Sequence, residues 1–393
     1  DKILMDFEKR IMNRKSFGTG LLLIHSPSLN IHRKTAAHVN PSVFVHPDQP
    51  YHFASIGKTI TSVMISLLYE KGLIDFDDRI SLFLDDSILA GLHIYKGVDY
   101  SKDVQVKHLL NHTSGIPDFY TDKNSKGIRL HDLMIAESER FWTPHETIGW
   151  ANTYLKPKFK PGNGFHYSDT NYELLGLIIE RLTGMRLHDA FHHYIFEPLG
   201  MSNTYQLFYS EPQVKSAYSM PDLFYKGVNL STARSISMSC AAGGIVSTSE
   251  DMLLFLKAVV DYRIVNKDTF NKMCNYARMA PSLYYGYGIM NFRFMFMPAK
   301  YHIWGNSGSI GSFIYYNPAM DIYFIGSFHK VNYQVGPILY IFHTLRKFSK
   351  ELKKRNAAAL RGFNPNHFAQ VLIKMGVERK HTEYGNVYLV VRR

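Results

Sequence analysis

The sequence predicts an α+β fold: an antiparallel sheet built from N- and C-terminal segments, flanked by helices, with a large, mainly helical domain inserted between them. Three observations predict it. Strand signals fill residues 17–55, helical spacing of apolar residues dominates 56–235, and short strand-like runs return between about 241 and 345. Strands at both ends of a chain pair across what lies between them, and a cleft forms where the two parts meet. The expected boundaries are a discontinuous sheet domain (1–55 with 236–355), a helical domain (56–235) and a basic tail or small appended segment (356–393).

The elements follow in order. Thr19 to His25 is a short apolar run broken by Ser26-Pro27-Ser28, the mark of a strand and its turn. Ile60, Val63, Met64, Leu67 and Leu68 recur at helical spacing, with Gly72 as the stop. A second helix is expected over 172–182, where Leu174, Leu175, Ile178, Ile179 and Leu182 share a face and Gly184 follows. A third should span 249–260, with Ser249 as N-cap and Glu250 and Asp251 in its first turn. Strands are expected over 284–290, 301–304, 312–316 and 322–327, the last two joined as a hairpin by Asn317-Pro318-Ala319-Met320-Asp321. A final helix should run over 336–354, followed by a short helix over 364–375 and a strand over 387–391.

Composition narrows the function classes. At 393 residues, 46% hydrophobic and 20% charged, the chain buries a sizeable core, and wholesale disorder, collagen-like and coiled-coil readings are out. No apolar run approaches the roughly 18 residues of a membrane helix. Cys240 and Cys274 are too few for a disulfide scaffold or a thiolate metal cluster; they could form one bridge, but read first as two small core residues. Of the net charge of +12, +9 falls from Arg346 onward, so the body is nearly neutral and no nucleic-acid partner is expected. The basic tail is suited to an anionic surface. The start, Asp1-Lys2-Ile3-Leu4, has no leader pattern; the expected home is extracytoplasmic if a leader was removed and cytoplasmic otherwise.

One local pattern carries chemistry: Phe53-Ala54-Ser55-Ile56-Gly57-Lys58-Thr59, directly before an apolar helix. A helix starting at Ser55 puts Lys58 one turn on and on the same face, which brings an amine to a hydroxyl. An amine in a desolvated cleft loses its proton more readily and helps deprotonate the serine, while the serine N–H at the helix's positive end can donate to an oxyanion. Gly57-Lys58-Thr59 is not the end of a phosphate loop, because His52 stands where that loop needs glycine. Two further segments fit the same site. Pro161 to Tyr172 sets Tyr167 on a glycine-rich loop ahead of a helix, and Gly305 to Phe313 puts small residues at a strand edge, where a substrate backbone can approach.

Taken with Leu109-Leu110-Asn111-His112-Thr113-Ser114-Gly115-Ile116-Pro117-Asp118, Phe196-Glu197-Pro198-Leu199-Gly200-Met201 and Ala242-Gly243-Gly244-Ile245-Val246-Ser247-Thr248, the chain resembles the serine β-lactamase and penicillin-binding protein superfamily, in its class C-like branch, over roughly residues 15–345. The resemblance implies a serine hydrolase that needs neither metal nor organic cofactor and acts on a small-molecule or peptide substrate. Ser55 would be the acylated nucleophile, Lys58 and Tyr167 its proton shuttle, and the N–H groups of Ser55 and Ser309 the oxyanion hole. Lys58 should favour the Tyr167 phenolate or a shared proton. Asp169, Asn306, Ser307, Gly308 and Ser309 would face the substrate.

Two departures matter. Tyr167-Ser168-Asp169 replaces the family's Tyr-x-Asn; a carboxylate cannot donate to an acyl-amide carbonyl, but it can pair with Lys58 and keep it charged. Asn306-Ser307-Gly308 replaces Lys-Thr-Gly or His-x-Gly, removing the cation that would meet a substrate carboxylate. The sequence therefore predicts weak β-lactam turnover and better prospects on uncharged esters or amides, among D-amino peptidase, carboxypeptidase and esterase activities. The alternative is a non-catalytic or slowly acylated receptor on the same fold. His112 reads as a loop-packing residue, His192-His193 with Glu197 lacks a zinc motif, and no Gly-x-Ser-x-Gly elbow occurs.

Overall fold

A computed structural model describes residues 2–14, 16–293, 297–361, 377–381 and 387–391. The chain divides into two units, Asp1–Tyr340 and Ile341–Arg393. The first holds an eight-stranded antiparallel sheet made of β1 (Thr19–Ser26), β2 (Ile31–His38), β3 (Ala277–Ala280), β4 (Leu283–Tyr285), β5 (Met290–Phe292), β6 (Ile303–Ser307), β7 (Ser312–Asn317) and β8 (Ile322–Ser327). Their order is β3-β4-β5-β6-β7-β8-β1-β2. The two ends of the chain meet at β1 and β8, where Leu21 faces Ser327 and Leu23 faces Ile325.

Local chemistry fixes the strand connections. The β7–β8 hairpin closes where the Met320 N–H donates to Asn317 Oδ1 at 2.9 Å, and Asp321 takes the left-handed conformation (φ 50°). The run expected as one strand over 284–290 is two strands, β4 and β5. Gly288, at φ 66°, turns the chain between them, and the Gly286 N–H donates to Ile289 O at 2.8 Å. A side chain on Gly288 would lie 2.7 Å from Lys58 O, so the turn also lets the sheet close on the central helix.

The helices that frame the sheet and the cleft include α1 (Lys2–Met12), α2 (Gly57–Glu70), α3 (Asp169–Thr183), α4 (Ser249–Val260) and α5 (Val335–Arg361). α1 buries Phe7 and Ile11, and α4 packs on β1, β7 and β8. The cap of α4 is Thr248, not Ser249: Thr248 is extended (ψ 163°) and its side chain accepts from the Asp251 N–H, while Ser249 Oγ bonds Tyr51 at 2.9 Å.

α2 is buried along most of its length, which demands a partner for every polar side chain it carries. Thr59 donates to Gly288 O at 2.7 Å, Thr61 to Ala241 O at 2.7 Å and Ser66 to Ser62 O at 2.8 Å, and Ser62 meets Tyr172 Oη at 3.1 Å. Its C-terminus closes as a Schellman turn: the Leu73 N–H donates to Leu68 O and Gly72 N–H to Tyr69 O, with Gly72 at φ 70°. Two apolar clusters lie around the cleft. The larger joins the sheet to α2 and α3; the smaller gathers Phe119, Leu130, Met134, Trp142, Leu223, Leu230 and Ile310 beneath long loops.

The second unit contains most of α5 and an antiparallel pair, Val377–His381 with Val387–Val391, the latter at the expected position. The expected helix over 364–375 lies outside the described residues. Both cysteines are free thiols. Among the described residues no helix is long and apolar enough to cross a membrane.

Candidate active site

Ser55 sits in a 3₁₀ turn, Ala54–Ile56, that leads into α2, so the regular helix begins two residues later than the sequence predicts. Ala54 is in the left-handed region at φ 49°, a strained conformation for a non-glycine residue, and it aims the turn at the cleft. Its surroundings hold it there. A side chain on Gly243 would lie 3.1 Å from the Ala54 carbonyl carbon, one on Gly308 would lie 2.6 Å from Phe53 O, and Ser312 donates to Phe53 O at 2.8 Å.

Lys58 is completely buried, one turn after Ser55. Its Nζ lies 2.6 Å from Asp169 Oδ1 and donates to Ala242 O at 2.9 Å and to Ser55 Oγ at 3.4 Å. Tyr167 completes the group: its ring lies 5.0 Å from Lys58 Nζ, and it lines the same cleft as Ser55. Three stretches distant in sequence thus meet around one ammonium.

The charge balance follows from burial and pairing. Burial pushes Lys58 down, but the Asp169 carboxylate beside it acts the other way, and Lys58 stays above its ordinary value as an ammonium. Burial pushes the Tyr167 phenol up, and Lys58 only partly offsets this. Lys58 thus acts on Tyr167 in the direction the sequence reading gave it, toward the phenolate or a shared proton, and burial acts against it. Asp118, behind Asp169, is pushed up to about 6 by burial and then by the Asp169 charge.

Tyr167 is held by the segment it faces. The loop before it is laced to residues 112–115 through Gly162 N–H to Thr113 O (2.8 Å) and His166 N–H to His112 O (2.9 Å). His112 stacks beneath Tyr167 with centroids 4.2 Å apart, and its Nδ1 accepts from the Ser168 N–H at 3.1 Å. Burial, then the Lys58 charge, keeps this imidazole neutral. His112 is packing, in keeping with its sequence reading.

The Asn306–Ser309 stretch divides. Asn306, expected to face substrate, is fully buried and turned inward: its amide donates to Thr59 Oγ1 and Gly288 O, each at 3.0 Å, and its Oδ1 accepts from the Ser307 N–H at 2.8 Å. It fastens β6 to α2, since the polar face of that buried helix needs partners. Ser307 lines the cleft with its hydroxyl on Tyr315 Oη at 2.6 Å. Gly308 packs against Phe53 and Ala54. Ser309 lines the cleft, and its carbonyl accepts from the Asn332 N–H at 2.7 Å, which fixes the peptide group between Ser309 and Ile310.

Sequence reasoning missed Glu173. It lies one turn after Asp169 on α3, is buried, and accepts from the Ala242 N–H at 3.1 Å and the Ala241 N–H at 3.3 Å. Ala242 is the residue whose carbonyl holds Lys58, so Glu173 fixes that carbonyl from behind. Burial pushes its carboxyl up to about 8. An acid four residues after Asp169, within an apolar stripe, was the available signal.

The cleft above these groups measures about 510 Å³, and its lining is mainly apolar. Among the described residues no group of His, Cys, Asp and Glu could hold a metal ion.

Comparison with known proteins identifies the family and the fold. The chain is 34% identical over 158 residues to penicillin-binding protein 4* of Bacillus subtilis strain 168, a match covering 39% of this chain and 30% of that protein. The chain thus spans less than a third of the length of that relative. The fold is similar to that of a D-stereospecific amidohydrolase from Streptomyces sp. (TM-score 0.70, 22% identity, 86% of this chain and 97% of the other). It is also similar to that of the D-amino acid amidase of Ochrobactrum anthropi SV3 (TM-score 0.69, 22% identity, 88% and 99%). Residues 341–390 match a family described as a domain of unknown function. The family model described as beta-lactamase matches residues 12–338, which contain every group in the cleft, and the chain belongs to that family.

Proposed function

We propose that this chain is a serine hydrolase that forms an acyl-enzyme at Ser55 and acts on amide or ester substrates. The observation that carries the reading is the shared environment of Ser55, Lys58 and Tyr167, with Lys58 Nζ 3.4 Å from Ser55 Oγ and 2.6 Å from Asp169. Ser55 Oγ attacks the substrate carbonyl. Because Lys58 is already an ammonium, Tyr167 is the relay: it accepts the Ser55 proton as it gives its own to the leaving group. Lys58 stabilises the negative charge that passes through the phenol oxygen. The N–H groups of Ser55 and Ser309 receive the oxyanion. Water then repeats the relay in reverse and frees the acyl group.

Substrate charge follows from what the cleft lacks. No Lys or Arg is among its described lining residues, and Lys58 is fully buried, so nothing there greets a substrate carboxylate. The names of the structural neighbours, a D-stereospecific amidohydrolase and a D-amino acid amidase, support an amide or related acyl substrate. Rates on a penicillin, a cephalosporin and a short-chain aryl ester test the reading. Turnover of the ester that vanishes in Ser55→Ala, with little β-lactam turnover, is expected; efficient β-lactam turnover contradicts the charge argument.

One observation favours a receptor instead: Lys58 is already saturated by Asp169 and Ala242, which would slow deacylation. An adduct on Ser55 that persists for hours, with no product released, would establish that second reading.

A further inference from the structure

We infer that the substrate carries an apolar group on each side of the reacting carbonyl, which makes it a neutral, lipophilic ester or amide; this rests on Ser55 being the nucleophile. The cleft has two apolar walls from separate parts of the chain. One is made by Met279, Leu283, Met290 and Phe292, on β3 to β5. The other is made by Ile310 and Val331 with Leu223, Leu230 and Ile338.

β6 serves as a ruler between them. Met290 pairs with Gly305 and Phe292 with Ile303. At roughly 3.4 Å per residue, the Phe292 level lies about 14 Å before Ser307 along the strand. Ser309 follows Ser307, and Ile310 comes directly after it. Ser55 belongs between the walls: Ala54, just before it, packs on the cluster that contains Ile310 and Leu230. On the other side the Tyr167 ring touches Tyr285 of β4 with centroids 5.8 Å apart.

The carboxylates in the cleft are already engaged. Asp118 accepts from the N–H groups of Asp169 (2.9 Å), Tyr120 (3.2 Å) and Thr121 (3.0 Å) and from the Thr121 hydroxyl, and Asp169 pairs with Lys58. A charged substituent would lose its hydration here and meet no partner, whereas a methylene gains by leaving water.

The test is a substrate series on the whole protein. From p-nitrophenyl acetate to octanoate, kcat/KM should rise by up to about fourfold per methylene that enters the cleft, and by more than tenfold over the series. The mono-p-nitrophenyl ester of the eight-carbon diacid should fall back to the acetate rate or below. On the leaving-group side, hexyl octanoate should exceed glycerol monooctanoate by at least tenfold. Phe292→Asp should flatten one of the two dependences. A flat series, or a preference for the carboxylate ester, overturns the inference while Ser55 dependence keeps the hydrolase reading. Ester turnover that survives Ser55→Ala overturns the hydrolase reading itself.

Discussion

Replacing Asp169 by asparagine tests the electrostatic core of the site. Lys58 Nζ and Asp169 Oδ1 lie 2.6 Å apart, with side-chain exposures of 0% and 10%. At an effective dielectric of about 20 their attraction is about 6 kcal/mol, set against the desolvation of both groups. Removing one partner of a buried pair costs about 3–5 kcal/mol; asparagine still offers Lys58 an oxygen, so about 3–4 kcal/mol is expected. At roughly 2.1 cal/mol/K per residue, the 340-residue unit that holds the pair should lose about 4–6 °C in Tm.

The pH dependence of that loss carries the sign. In the wild type, Lys58 sits above its ordinary 10.5, so its stabilising contribution is complete below that pH and is lost only above it. In Asp169→Asn, burial prevails, the folded value drops below 10.5, and the ammonium destabilises at neutral pH. That penalty lifts as pH rises toward 10.5. Thermal melts of both proteins should therefore differ most near pH 7 and converge toward pH 10. An unchanged Tm, or a gap that widens with pH, refutes the reasoning.

Other perturbations have distinct outcomes. Glu173→Leu should lower kcat about tenfold with little change in KM, because the Ala242 N–H, next to the carbonyl that holds Lys58, loses its acceptor; an unchanged kcat counts against that role. With Glu173 pushed up to about 8 by burial, its contribution is present below about pH 4.5 and lost as pH rises through 8. The stability advantage of wild type over Glu173→Gln should accordingly shrink between pH 5 and 8.5, as chemical denaturation at each pH will show. Gly308→Ala forces a methyl group against Phe53 O and Ser312, and the displaced turn should cost about 10²-fold in kcat/KM; a rate near wild type means that this loop does not shape the site. Tyr167→Phe keeps the ring on His112 but removes the relay, and should cost about 10²–10⁴-fold in acylation with little change in Tm, measured by stopped-flow ester hydrolysis.

Much of this site was legible because it is written in local patterns. Ser55 and Lys58 share a helix face at fixed spacing, and Tyr167 stands on a loop whose glycines mark it. The β7–β8 hairpin followed from apolar runs and one turn, and the shared sheet from strand signals at both ends of the chain. What escaped depends on partners far away in sequence. Asn306 looked like a substrate-facing residue at a strand edge, and it turns inward because Thr59 and Gly288, from elsewhere in the chain, offer it partners. Residues 284–290 have a strand's composition, yet Gly288 must turn there to clear α2. Glu173 looks like an ordinary helical acid until Ala241 and Ala242 are brought against it. A buried polar side chain takes its direction from the packed structure, and sequence spacing does not supply it.

Intact-mass and peptide-mapping analysis after exposure to an alkyl fluorophosphonate tests the assignment of the nucleophile most directly. The account predicts one adduct per chain, carried by Ser55, absent from Ser55→Ala and formed at least 10²-fold more slowly in Tyr167→Phe. Labelling of Ser55→Ala at the wild-type rate, or an adduct mapped to another residue, would contradict it.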